Sequence, residues 1–261
     1  MGAFGFHVHP SIEIERDTAD LRVADIACGS GIWLKDIASQ YPQAQCDGFD
    51  ISDKQFPAIA DLTRDFGDRV HYHTQDATAE SGYGEEFNGK FDIVAVRLLH
   101  VAIAGAQWTR AVRNAAALLK PGGYLQWIDW IPQSARVVQS RPLIKTTATA
   151  ELLEGLRQFL SPLDTGATAR LPQEMRESGL ADVRSELFAT DVDQTWRQYF
   201  TWTVRSIVPD LLVKMAKSGP YGSGDAKDWV NLKAEAEEEA EQEAMWVRTE
   251  MWCHVGRKPM A

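Results

Sequence analysis

The residues best equipped for chemistry in this 261-residue chain begin with the stretch Asp25-Ile26-Ala27-Cys28-Gly29-Ser30-Gly31, set between an apolar run and a segment of helical spacing. Gly29 and Gly31 let a backbone turn tightly and lie against a ligand with no Cβ in the way. A dinucleotide fingerprint requires a further glycine at position 34, where the chain has Leu34, so a nicotinamide cofactor is disfavoured. Asp25, just before the turn, suits a ligand bearing an amine rather than a pyrophosphate. Asp50 lies where an acid can accept from both hydroxyls of a ribose, and Asp76 where one can accept from an adenine amino group. Each acid alone reads equally well as a helix cap or a turn residue. At the ends of three parallel strands they would face one crevice.

A second group belongs to the acceptor side of such a crevice. His100 is the first candidate for a general base, because imidazole titrates near working pH. Asp129 is the alternative base, and Arg97 is placed to assist. Each also reads as a structural residue. His7 and His9 either fold over the cleft or, in a flexible N-terminal segment, are inert. Trp196, Tyr199, Phe200 and Thr203 recur at helical spacing and form a mostly aromatic face, read either as helix packing or as a wall for an aromatic acceptor. Trp127 joins them as a candidate acceptor contact. A cation over the face of Trp127 or Trp33 would gain a cation–π interaction.

Positioning these residues requires strands that alternate with helices. The pattern predicts strands at 21–27, 45–51, 70–74, 91–96 and 124–131, with helices at 32–40, 56–66 and 105–119. Lys120-Pro121-Gly122-Gly123 reads as a stop and turn between the last of these helices and the fifth strand. Helices are expected at 142–160 and 171–178, a strand at 181–189, a long helical insert at about 195–245 and a closing strand at 246–256. The six glutamates of the stretch 235–243 overlie Ala236, Ala240, Ala244 and Val247 at helical spacing, the pattern of a solvated helix face. One domain over 1–261 with helical cap insertions at about 131–170 and 191–245 accounts for the whole chain.

A net charge of −10 argues against nucleic acid as a partner, since that binding rests on cations neutralising phosphates. Apolar residues at 44% and charged residues at 25% are those of a globular protein. Cys28, Cys46 and Cys253 are far apart, with no metal-ligand spacing, and read as reduced thiols of a cytoplasmic protein. The N-terminal residues lack the pattern of a secretory signal and no window is apolar enough to span a membrane. The reading is a small-molecule enzyme, monomer or homodimer, with no membrane or metal.

The strings Val23-Ala24-Asp25-Ile26-Ala27-Cys28-Gly29-Ser30-Gly31-Ile32-Trp33-Leu34, Gly48-Phe49-Asp50-Ile51-Ser52, Phe91-Asp92-Ile93-Val94 with Arg97, and Leu119-Lys120-Pro121-Gly122-Gly123-Tyr124-Leu125-Gln126-Trp127 resemble class I methyltransferases dependent on S-adenosylmethionine (SAM). With His9-Pro10-Ser11-Ile12 upstream, they resemble the fungal secondary-metabolism group that contains the gliotoxin-pathway N-methyltransferase and velvet-complex regulators. The resemblance implies a Rossmann-like α/β fold whose seven-stranded, mostly parallel sheet has an antiparallel last strand. It implies SAM as donor, S-adenosylhomocysteine as product and a natural product as acceptor for N- or O-methylation. Asp25, Ala27, Cys28, Gly29 and Gly31 would form the donor loop, with Asp50 and Ile51 at the ribose, Asp76 and Ala77 at the adenine, and Arg97 and Leu98 after strand four. Ala27 stands where the family has its first loop glycine, a replacement that is tolerable at negative φ and that could otherwise reshape the methionine pocket. The N-terminus looks short for the family. The fold also hosts SAM-assisted or SAM-independent pericyclic catalysts and regulatory proteins, which remain the alternatives.

Overall fold

Val23, Ala24 and Ile26 form a short run of buried aliphatic side chains, and such a run survives in a strand covered on both faces. It is β1 (Arg22–Ile26). The computed structural model describes residues 5–14, 18–161, 163–164, 166–218, 229–240 and 244–260. β1 pairs in parallel with β2 (Gln45–Asp50) and β4 (Phe91–Arg97). β2 pairs in parallel with β3 (Val70–Thr74), and β4 with β5 (Leu119–Gln139). With β6 (Ala181–Ala189) and β7 (Met245–Arg257) the sheet has the order β3-β2-β1-β4-β5-β7-β6. β7 is the antiparallel strand. This is the order and polarity of the class I methyltransferase fold.

The helices α1 (Ile32–Gln40), α2 (Ile59–Phe66) and α3 (Gln107–Leu118) occur where the spacing predicts them, α2 and α3 starting later. One boundary differs. Lys120 to Gly123 does not separate α3 from the strand: β5 begins at Leu119 and carries an irregularity there, so that Phe91 pairs with Leu119 but Ile93 with Tyr124. Gly122 takes φ +81° and its N–H donates to the Lys258 carbonyl at 2.9 Å, while the Lys258 N–H donates to the Gly123 carbonyl at 2.8 Å. The turn signal was read correctly as a demand for positive φ. The demand is met within an irregularity of the β4–β5 pairing, and Lys258, just after β7, supplies the hydrogen-bond partners.

The chain divides into two compact units. The first holds residues 1–129, 167–186 and 252–261, with a core in which Phe49, Phe91, Val94, Trp108, Leu125, Trp127 and Leu171 pack together. α5 (Ala167–Glu177) belongs to it. The second unit holds residues 130–166 and 187–251. Its helices are α4 (Thr147–Leu160), α6 (Gln194–Trp202), α7 (Val208–Ser218) and α8 (Trp229–Ala240), with a π-helical turn at Thr203–Ile207. The expected long helical insert is therefore several helices, and β5 runs to Gln139 before α4 begins.

Within the second unit one glutamate departs from the solvated-face reading. Glu235, Glu237 and Glu238 are exposed, but Glu239 is buried; Glu241 and Glu243 lie outside the described residues. The Glu239 carboxylate accepts from the N–H groups of Ala148 and Thr149 at 2.9 and 3.0 Å and from the Thr149 hydroxyl at 2.8 Å. It caps the first turn of α4, where unpaired N–H groups and the helix dipole favour a negative charge. Burial lowers the proton affinity of the nearby Arg205 guanidinium and the charge of Glu239 raises it. Glu239→Ala removes the acceptor from two buried N–H groups and should cost on the order of 3 kcal/mol. The check is the urea midpoint; an unchanged midpoint would show that the cap contributes nothing.

Candidate active site

The order of the sheet reverses between β1 and β4, and there the loops leaving their carboxyl ends part to form a crevice. Asp25 stands near the end of β1, Asp50 ends β2, Asp76 follows β3 and Arg97 ends β4. The parallel register brings the sequence-read acids to one edge of the sheet.

The glycine turn is tied to Asp50. The Gly29 N–H donates to one oxygen of that carboxylate at 2.9 Å and the Ser52 N–H to the other at 3.1 Å. A carboxylate oxygen accepts more than one hydrogen bond, so Asp50 keeps capacity for a vicinal diol. Gly31 has φ +67°, and a Cβ there would overlap the Tyr72 phenol. Tyr72, from β3, also lies against Gly48, whose Cβ would fall 2.9 Å from its ring. It thus forms the floor of the turn. Sequence reasoning passed over Tyr72; the signal was the pair of glycines, which calls for a large neighbour.

Ala27 has φ +55°, so the condition of negative φ under which alanine is tolerated without strain is not met. The turn needs a left-handed residue at this position whether or not glycine is present, and an alanine there stores on the order of 1 kcal/mol. Cys28 is buried and its thiol is pushed far up by burial, then by Asp25 and Asp50, so it is an inert member of the loop. Ile51 is largely exposed beside Asp50. Asp76 accepts from the N–H and hydroxyl of Thr78 at 2.7 and 2.8 Å. Asn114 of α3 donates to the carbonyls of Ala77 and Ala79 at 3.0 and 2.9 Å and so holds that loop against the first unit. Asn114 carried no signal in the sequence.

After β4 the chain turns at Leu98, which takes φ +57° and is half exposed. The Leu98 N–H donates to the Ile128 carbonyl at 2.9 Å. Asp129, fully buried, accepts from the N–H groups of Leu99 and His100 at 3.1 Å each. It also binds His100 Nδ1, and accepts from the Trp127 indole at 3.3 Å. His100 and Asp129 were weighed as separate bases; the structure makes them one pair, with Asp129 fixing the turn and the ring of His100. Trp127 is a core residue beside Trp108, with ring centroids 5.8 Å apart. Its indole faces that core and Asp129, which argues against the acceptor-contact and cation–π readings.

Asp25 is fully buried, and Arg97 Nη2 lies 3.3 Å from its Oδ2. Burial raises the Asp25 carboxyl to about 6, against a smaller lowering by Arg97. The Arg97 guanidinium lies 5.3 Å from the Trp33 ring centroid, so that face of Trp33 is taken by arginine. The Trp33 indole donates to the His7 carbonyl at 3.2 Å, which also accepts from Gln126 Nε2 at 2.9 Å. The His9 N–H donates to Gln126 Oε1 at 2.7 Å, and His9 Nε2 lies 3.2 Å from Glu186. The expectation of a flexible, inert His9 therefore fails: its side chain is buried and paired. The cause is Gln126, a buried amide on β5 that engages both a donor and an acceptor of the N-terminal segment.

In the second unit, Trp196, Tyr199 and Phe200 of α6 form a ring cluster with centroid separations of 5.6 to 6.3 Å, which Tyr199 extends to Trp202 at 6.2 Å. Tyr199 is 50% and Trp202 53% exposed, so the packing reading covers only part of this face. No cluster of three or more metal-ligating side chains occurs among the described residues, nor does any helix among them reach the length and apolarity needed to cross a membrane.

The family described as methyltransferase domain matches residues 23–123. Methyltransferase grgD of a Penicillium species is 36% identical over 115 residues, 41% of this chain and 38% of that protein. The secondary metabolism regulator laeA of Coprinopsis cinerea is 30% identical over 105 residues, 40% of this chain and 23% of that protein. The chain thus spans well under half the length of these relatives. Among solved structures, phosphoethanolamine N-methyltransferase 2 of Haemonchus contortus in complex with S-adenosyl-L-methionine superposes with a TM-score of 0.52 at 16% identity, covering 94% of this chain and 50% of that one. That likeness shows the fold.

The burial of Asp25 has a measurable consequence. With its carboxyl at about 6 rather than 3.8, the folded protein keeps a proton that the unfolded chain releases. The stabilising contribution is full below pH 4 and is lost as pH rises through 6. Asp25→Asn, which cannot ionise, should therefore gain stability relative to the parent between pH 4.5 and 7, by on the order of 3 kcal/mol at most. Urea unfolding at the two pH values measures it. A difference independent of pH would show that folding does not penalise this charge.

Proposed function

We propose that this chain, whose residues 23–123 match the methyltransferase-domain family and lie in a seven-stranded sheet, transfers a methyl group to a nitrogen or oxygen of a small-molecule natural product. Its donor is SAM, which supplies, when bound, a methyl carbon activated by a sulfonium and leaves S-adenosylhomocysteine. One observation carries the reading: the Asp50 carboxylate is bonded to the Gly29 amide, so a diol-binding acid and a side-chain-free turn are held as one body at the sheet edge. A nucleoside with an extended 5′ substituent matches that arrangement. Asp50 accepts from the ribose hydroxyls, Ile51 and Leu98 offer exposed apolar surface to the base, and Asp76 with the Ala77 segment takes its amino edge.

Methyl transfer is an in-line displacement, so the protein's main tasks are to orient the acceptor and to exclude water. His100, buried against Asp129, is the candidate base for an acceptor that arrives protonated. Asp129 on Nδ1 fixes the tautomer in which Nε2 is the basic nitrogen and stabilises the ring once charged. The partly exposed rings of Trp196, Tyr199 and Phe200 suit a flat aromatic or polycyclic acceptor. Buried free thiols at Cys28, Cys46 and Cys253 support a cytoplasmic setting.

A second reading, a methyltransferase-like regulator, is favoured by the similarity to laeA. Incubation with methyl-labelled SAM and fungal metabolite extracts separates the two. Label in a small product, with one S-adenosylhomocysteine released per transfer, is expected; release with no labelled small molecule would favour the regulator. Asp50→Ala should weaken S-adenosylhomocysteine binding by a hundredfold or more in calorimetry, and unchanged binding would remove the donor-site assignment. His100→Ala should lower turnover at least tenfold with donor affinity within twofold of the parent. Equal turnover would leave His100 a structural residue.

A further inference from the structure

The ion pair at the reversal point of the sheet is unlike an ordinary strand-end contact. Asp25 has no exposed surface, whereas the Arg97 side chain is 29% exposed. Arg97 is therefore the member of the pair that keeps surface for a ligand. One side of the guanidinium is taken by Asp25, and the Trp33 ring lies against it at 5.3 Å. Trp33 is itself fixed by the His7 carbonyl, and His7 by Gln126. An arginine held between a carboxylate and a ring, its side chain partly exposed, is preorganised for a planar oxyanion.

Charge balance identifies that anion. Bound as proposed above, the donor carries two positive groups, the sulfonium and the α-ammonium, and one negative group, the α-carboxylate. The strand ends present Asp25, Asp50 and Asp76 against a single cation from β4, Arg97. We propose that Arg97 binds the α-carboxylate of the donor's amino-acid end, and that Asp25, instead of gripping the amine, is a positioning residue that holds Arg97 there. Arg97 then belongs to donor recognition and not to the handling of the acceptor. The buried, raised carboxyl of Asp25 fits this role, because Arg97 is the compensating charge that it needs.

The proposal rests on the donor-site reading, and a pair of ligands separates the two. S-adenosylhomocysteine and its decarboxylated analogue, S-adenosyl-3-thiopropylamine, share the adenosyl thioether and the amine and differ in the carboxylate. Calorimetry on the full chain should show that the parent prefers S-adenosylhomocysteine by tenfold or more. Arg97→Gln should abolish that preference by weakening S-adenosylhomocysteine alone, and Arg97→Lys should retain part of it. Asp25→Asn should weaken S-adenosylhomocysteine several-fold and spare the analogue. Equal weakening of both ligands by Arg97→Gln, in protein whose melting temperature matches the parent, would overturn the assignment, as would a parent that binds both equally. Loss of the analogue in Asp25→Asn would return Asp25 to the ammonium and overturn its positioning role. If Arg97→Gln does not fold, the lysine variant decides: a preference as strong as the parent's, or weakening of both ligands, overturns the proposal. A parent that binds neither ligand refutes the donor site itself.

Discussion

A carboxylate with no access to water must be neutralised, protonated or paired, and at Asp25 that requirement shapes the neighbourhood of the crevice. Arg97 reaches back from β4 to supply the charge, Trp33 lies under the guanidinium, and the N-terminal segment fastens Trp33 through the His7 carbonyl. Gln126 completes the series by binding the same segment from β5. Residues from four parts of the chain are thereby held around one buried charge. Pairing offsets only part of the cost, since the carboxyl still sits near 6.

Around this centre the backbone carries strain where the chain leaves the sheet. Ala27 after β1 and Leu98 after β4 both adopt left-handed conformations that favour glycine. Each is held by hydrogen bonds from neighbouring strands: the loop from Ala27 to Gly31 through Phe49 and Asp50, the Leu98 turn through Ile128 and Asp129. Strain of about 1 to 2 kcal/mol per residue persists because these anchors allow the turns no other course. The first turn thereby commits its Cys28, Gly29 and Gly31 amides to Phe49, Asp50 and Cys28, and the second brings His100 onto Asp129.

The second unit uses the same device in another place. Glu239 is taken from a run of otherwise solvated glutamates and buried against the first turn of α4, where the backbone N–H groups need an acceptor. Nothing in its neighbours along the chain distinguishes Glu239 from Glu238. Only the approach of α4 selects which glutamate is buried.

Order along the chain was legible wherever the determinant was local. Hydrophobic runs located β1 and β4 because burial on both faces of a parallel sheet demands them, and the glycines and strand-end acids marked the crevice because turn conformation and strand polarity follow from few residues. Pairing across the sheet was not legible. That Asp129 belongs to His100, that Arg97 pairs with Asp25 and that His9 is buried on Gln126 each depend on residues at least 29 positions apart, and that Trp127 faces inward depends on its packing with Trp108 of α3. Their chemistry is ordinary taken singly. Tertiary structure decided it, because desolvation and hydrogen-bond geometry arise only when distant strands close around the same few atoms.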